Sequence, residues 1–240
     1  MVTLFGGKPN YRRLSPFARS IHARPNAGAD PIDARLAEEH EALATLGAQS
    51  RTYPYLDCIY RQDASGKRWL YDSEEAIFGP VDTADDGLVD KLGRDLMALA
   101  ATPDSCRIYA PLAIGNHVDH QVAHLSARRL HDAGYSVCFY EDYPYVVRDP
   151  SNLQKTLTRW VEGSQWHSEI IALEDTDLQQ KAAAICAYRS QLSVLFSVGE
   201  HGVLAAVEAA LLDFAEKVAQ AQSHGRFAER LWRLGPKHRV

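Results

Sequence analysis

Residues 106–140 constrain the fold of this chain more than any other stretch. "CRIYA" (106–110) is a short β-branched and aromatic run suited to a buried strand, and "SVCFY" (136–140) is a second. Between them Val118, Val122, Leu125 and Leu130 recur at roughly helical spacing from His117 to about Asp132. Asn116 offers an N-cap and Gly134 a stop signal. Strand, helix and strand of these lengths make a βαβ unit, which implies parallel strands joined by a right-handed crossover. In an open parallel sheet, ligands bind beyond the carboxyl ends of the strands. Three loops rich in polar residues share that edge: 6–29, 111–119 and "EDYPY" at 141–145.

The rest of the chain supports an α/β reading. "VTLF" is a β-prone run at the start, and the Gly-, Pro- and Arg-rich stretch after it reads as a long loop with one helical turn. Asp30 and Pro31 then open a helix through Leu46 that Gly47 ends. "RTYPYLD" reads as a strand, "GKRWLYD" as one arm of a hairpin, and residues 86–100 as a helix. "LQQKAAAICAYRSQL" reads as a helix starting near Thr176 or Asp177, and "GVLAAVEAALLDFAEKVAQA" as another.

With 240 residues, 46% apolar and 24% charged, the chain can bury one sizeable core, and a single domain over 1–240 is expected. A net charge of -5 with scattered Lys and Arg leaves no basic stripe, so nucleic acid is not the expected partner. The apolar run "VLAAVEAALL" carries Glu208 and is far shorter than a membrane helix of about 20 residues, and "VTLFGGK" has no basic leader. Cys58, Cys106, Cys138 and Cys186 form no Cys-x-x-Cys pair and read as thiols of a reducing cytoplasm. The expected compartment is therefore cytoplasmic. An unpaired edge or exposed apolar face would favour a homo-oligomer.

A helix starting at Asn116 places His117 and His120 in its first turn, facing one point beyond the strand end. The positive end of the helix dipole opposes protonation and favours the neutral imidazole that a metal requires. Asp119 would either orient an imidazole or cap free amides, two roles competing for one carboxylate. Ordinary solvated histidines at a helix start are the competing reading of the pair, and His124, four residues after His120, is expected to be solvated or to pack, with a His-x-x-x-His zinc pair as the alternative. Arg12, Arg13 and Arg19 are expected to reach a substrate phosphate or carboxylate from the loop, with a solvated loop as the alternative. Glu141, Asp142 and Tyr143 are expected to line the pocket, because adjacent acids at a strand end are poor core material.

These segments resemble the zinc-dependent N-deacetylases of the LmbE or PIG-L type. "APLAIGNHVDHQVAH" is similar to that family's His-x-Asp-His segment, "YEDYPY" to its next strand end, and "KAAAICAYRSQL" to its Lys...Ser-Gln helix. "VTLFGGKP", "EEHEALATLG" and "AERLWRL" extend the likeness over nearly the whole chain. The resemblance implies a Rossmann-like three-layer α/β sandwich with a mainly parallel sheet. It also implies zinc-activated water attacking the amide of an N-acetylated, sugar-derived small molecule. By position His120 would ligate zinc, His117 would stabilise the oxyanion and Asp119 would orient a histidine.

One departure stands out. The family's His-Pro-Asp-Asp motif, which supplies two further ligands and the general base, occurs nowhere in the 240 residues. Since "VTLF" corresponds to the family's second strand, the first strand and its motif are expected before Met1. Two alternatives are a catalytically dead relative that binds a sugar or a partner, and a site rebuilt from Asp30, Asp33 or His22.

Overall fold

The computed structural model describes residues 1–24, 30–100, 102–149, 151–161, 165–196, 202–222 and 225–235. The 25–29 part of the expected 6–29 loop lies outside the described residues. In chain order the elements are β1 (Val2–Thr3), α1 (Pro16–His22), α2 (Pro31–Thr45), β2 (Arg51–Thr52), α3 (Glu74–Ile77), α4 (Asp86–Leu99), β3 (Arg107–Pro111) and α5 (Val118–Asp132). They continue with β4 (Ser136–Tyr140), α6 (Tyr145–Arg148), α7 (Ser151–Arg159), β5 (Trp166–Leu173), α8 (Asp175–Cys186), α9 (Arg189–Leu195), α10 (Val203–Ala221) and β6 (Phe227–Leu234).

Two compact units divide these elements, one of residues 1–61 and 171–229, the other of 62–170 and 230–240. In the first, β1 and β2 pair in parallel, and bridges Phe5 to Pro54 and Gly7 to Leu56 extend the contact. "RTYPYLD" therefore forms only a two-residue strand, since Pro54 cannot donate to a ladder. Helix α2 starts as expected, with the Asp30 side chain accepting from Asp33 N at 3.1 Å and Pro31 in its first turn. Helix α8 packs on α2 and α10, and Ala182 of α8 and Val207, Leu211 and Ala215 of α10 are all buried. The helix expected through "KAAAICAYRSQL" breaks at Ala187 and Tyr188. Glu38 of α2 accepts from Ser190 N at 2.8 Å and Ser190 Oγ at 2.7 Å, and Glu41 holds Arg189 in a two-point ion pair. Glu38 thereby caps a new helix start, and Glu41 anchors the side chain of its first residue.

The second unit carries the βαβ core. Its four-stranded sheet has the order β3-β4-β6-β5. Strands β3 and β4 pair in parallel from Arg107 and Ser136 to Pro111 and Tyr140, as the sequence predicts. Strand β6 runs antiparallel to β4, so this sheet is partly rather than mainly parallel. Arg230 Nε and Trp232 Nε1 of β6 donate to Glu141 Oε1 at 2.5 and 2.8 Å, which fixes the return strand against the end of β4. The expected hairpin at "GKRWLYD" is a single bridge between Gln62 and Trp69. Two cysteines, Cys58 and Cys138, are buried and two are half-buried, all as free thiols. None of the described helices is long and apolar enough to cross a membrane.

Helix α5 lies on β3 and β4, burying Val118, Val122 and Leu130 with Val137 and Phe139, and Gly134 ends it at φ +93°. His124 of α5 is wholly buried, its Nδ1 donating to Pro111 O at 3.0 Å and its ring stacked at 4.6 Å on Trp160. Burial, with Arg128 and Arg159 nearby, pushes its pKa down to about 3. The folded protein thus refuses a proton that the unfolded chain takes up near pH 6.5. Stability from neutral His124 is complete above that value and is lost as pH falls towards 3. Relative to His124→Phe, the wild type should lose about 1.4 kcal/mol more per pH unit through this window. Urea unfolding at several pH values measures this, and parallel slopes for the two proteins would refute it.

Candidate active site

The chain leaves β3 at Pro111 and reaches α5 through a loop of unusual backbone. Ala113 and Asn116 both sit at φ +66° and Gly115 at +84°, a left-handed region that costs a non-glycine residue about 1 kcal/mol or more. Gly115 is obligatory for a second reason, since a Cβ there would lie 2.6 Å from the Tyr145 ring. The loop is held by Leu112 N donating to Tyr140 O at 2.9 Å and Ile114 N donating to Asp142 Oδ2 at 3.0 Å. Because Asn116 is left-handed, it cannot be the N-cap. His117 takes that place, its Nδ1 accepting from Asp119 N at 3.3 Å.

This corrects the expected register of the helix start and defines the tautomer of His117. A neutral ring whose Nδ1 accepts must carry its proton on Nε2, so His117 presents an N–H donor. His120 has the opposite arrangement. Its Nδ1 faces Asp142 Oδ1 at 2.5 Å and carries the proton, leaving Nε2 as the lone-pair atom. Asp142 is 1% exposed, while the His120 side chain is 38% exposed. Burial lowers the His120 pKa, but the Asp142 hydrogen bond, with the charges of Asp142 and Asp119, outweighs it and leaves the value above the ordinary 6.5. The expected depression by the helix dipole is therefore overridden by two carboxylates, chiefly that of Asp142.

Aromatic rings enclose the two imidazoles. Phe78 stands edge-on to His117 at 5.5 Å, His117 to His120 at 5.5 Å, His120 to Tyr145 at 5.9 Å, and Tyr145 to Phe78 at 6.2 Å. Burial raises the Tyr145 phenol above its ordinary pKa. Sequence reasoning missed Phe78 and Tyr145. The signal for Tyr145 was Gly115, whose missing side chain makes room for the ring.

His117, Asp119, His120 and Asp142 are thus brought together at the carboxyl end of β3 and β4. Asp119 is buried in the first turn of α5, but the carboxylate that holds His120 is Asp142. Glu141 points to Arg230 and Trp232, and Tyr143 is half-buried, joined to Pro144 by a cis peptide bond. Arg12 and Arg13 belong to the other unit, where both are exposed in a turn closed by Arg13 N donating to Asn10 O at 2.8 Å.

The chain is similar to known deacetylases in sequence and in fold. The chain is 27% identical over 229 residues to a 2'-N-acetylparomamine deacetylase of Niallia circulans, covering 87% of this chain and 78% of that protein. A 2'-N-acetylparomamine deacetylase of Streptomyces fradiae is 28% identical over 198 residues, or 77% of this chain and 65% of its own length. These deacetylases belong to the LmbE/PIG-L-type zinc N-deacetylases, the family that the sequence resembles. No protein-family model matches it. Its fold is that of the zinc-inhibited form of teicoplanin deacetylase Orf2, with TM-score 0.77, 24% identity, and coverage of 100% of this chain and 88% of that one. The A40926 pseudoaglycone deacetylase Dbv21 gives TM-score 0.71 and 23% identity, covering 100% and 86%.

In this deacetylase relative the His120–Asp142 pair has the donor chemistry of a zinc ligand. Its Nε2 is a lone-pair atom, and the buried carboxylate behind Nδ1 fixes the ring and raises its basicity, as outer partners of zinc histidines do. A zinc titration against a competing chelator should show about 10- to 100-fold weaker binding for Asp142→Ala than for wild type. Equal affinities would remove Asp142 from the metal's support.

Proposed function

We propose that this protein hydrolyses the N-acetyl amide of an amino-sugar-type small molecule, with zinc as its cofactor. The observation that carries the reading is that two imidazoles in one helical turn have opposite Nδ1 partners, the Asp119 N–H at His117 and the Asp142 carboxylate at His120, which in neutral rings leaves an N–H at His117 Nε2 and a lone pair at His120 Nε2. His120 would hold the metal. Zinc, when bound, supplies Lewis acidity and an ionisable water near neutral pH.

The chain's own residues do the remaining work. His117 directs its Nε2–H at the carbonyl oxygen as negative charge develops there, a donor of the kind worth several kcal/mol in the transition state. Asp142 keeps His120 in one tautomer, and Asp119 adds negative charge beside it. The rings of Phe78 and Tyr145 limit water around both imidazoles and strengthen these interactions. We assign Arg12 and Arg13 to an anionic group of the substrate and Tyr143 to its sugar, while Glu141 braces the strand that carries Asp142. The compartment we assign is the cytoplasm, with a homo-oligomer as the assembly.

One observation favours a second reading, a sugar- or partner-binding protein without catalysis: no His-Pro-Asp-Asp motif occurs in the 240 residues. Release of primary amine from N-acetylated aminoglycosides and amino sugars, with zinc supplied, separates the two. His117→Ala should lower kcat about 10²- to 10³-fold with little change in KM. Binding of the same compounds without amine release would establish the second reading instead.

A further inference from the structure

We propose that Asn116 is a positioning residue of this site, coupling the Phe78–Gly79 turn to His117 so that the imidazole meets the reacting carbonyl in one orientation. This inference rests on the amide-hydrolase reading above. Every hydrogen-bonding group of Asn116 is used. Its N–H donates to Ala113 O at 3.2 Å, and its Nδ2 donates to Phe78 O at 2.6 Å and Gly79 O at 3.2 Å. Its Oδ1 accepts from Arg159 Nη1, and its carbonyl accepts from Gln121 Nε2 at 2.6 Å.

Gln121, wholly buried one turn into α5, repeats the pattern. Its Nε2 also donates to Gly79 O, at 2.7 Å, and its Oε1 accepts from Arg159 Nη2 at 2.9 Å. The Arg159 guanidinium therefore spans two side-chain amides that both grip the same short turn. The fork geometry of arginine suits that bridge, where a lysine would reach only one acceptor at a time.

The turn so gripped carries Phe78, whose ring stands against His117. His117 is thus oriented from two sides, by Asp119 N at its Nδ1 and by the Phe78 edge on its ring. Asn116 governs both, because it directly precedes the N-cap and ties down the turn that bears Phe78. Its left-handed backbone supports a role beyond stability. A strained φ in a non-glycine residue persists where surrounding bonds over-determine it, and here those bonds converge on the loop before His117. A misplacement of about 1 Å in a reacting group can cost about a hundredfold in rate.

The test separates backbone from side chain. Asn116→Gly keeps the left-handed conformation and deletes the side chain, and Asn116→Asp keeps the size and the acceptor for Arg159 but removes both N–H donors to the turn. Both variants should lower kcat about tenfold to a hundredfold, with KM within about threefold, while the protein stays folded at the assay temperature. Histidine side-chain NMR gives a readout independent of activity. His117 should show a single Nε2–H tautomer in the wild type and a broadened or mixed signal in both variants. An unchanged His117 signal in the variants, a wild-type kcat in Asn116→Asp, or a loss of rate that only tracks loss of folded protein would each overturn the inference. A wild-type protein that releases no amine would overturn the hydrolase reading, and the NMR comparison would still decide the role of Asn116.

Discussion

The carboxylate of Asp142 holds the site together. It is 1% exposed, and each oxygen serves a different element: Oδ2 accepts from Ile114 N in the loop after β3, and Oδ1 accepts from His120 Nδ1 on α5. A buried charge costs several kcal/mol unless it is compensated, and here the compensating donors belong to the loop and helix that form the site. Neither donor can move without breaking its bond to one of the two carboxylate oxygens. The strand end, the left-handed loop and the first turn of α5 are thereby one mechanical piece. Glu141, directly before Asp142, adds the return strand to that piece through Arg230 and Trp232.

Carboxylates organise the first unit in a related way, with a different outcome. Thr3 Oγ1 donates to Glu39 at 2.5 Å, and Glu38 and Glu41 meet the start of α9. Glu38 and Glu39 are nearly buried, so their pairing fixes which groups meet. The pairings join β1 to α2 and set the break between α8 and α9. The first unit therefore spends its buried acids on connectivity, whereas the second spends one of its acids on an imidazole whose outer nitrogen remains available.

How much of this was legible in the sequence follows from the range of each interaction. The βαβ core was legible because its cues are local: β-prone runs of five residues, an apolar period near 3.6 and a glycine stop. The likeness of "GNHVDH" to the N-deacetylases pointed to the candidate site for the same reason. Non-local partners were not legible. That Asp142 rather than Asp119 holds His120 depends on contact across 22 residues, and the antiparallel return of β6 depends on partners about 90 residues apart. The helix start was misplaced by one residue because Asn is both a good N-cap and one of the few L-residues that accept a left-handed backbone. Only the bonds to Phe78, Gly79 and Arg159 decide between those uses.

The same loop shows why such a site sits where the fold is least regular. A straight continuation from β3 into α5 would satisfy its backbone groups within the loop and leave His117 and His120 wherever the helix happened to begin. Three left-handed residues between Pro111 and His117 make that route costly on its own, so the path exists only because Tyr140, Asp142, Gln121 and Arg159 supply partners from β4, the strand end, α5 and α7. Four elements must be in place before the two imidazoles face each other at 5.5 Å. The geometry of the site therefore depends on all four, and the strain in the loop is compensated by the groups that define it.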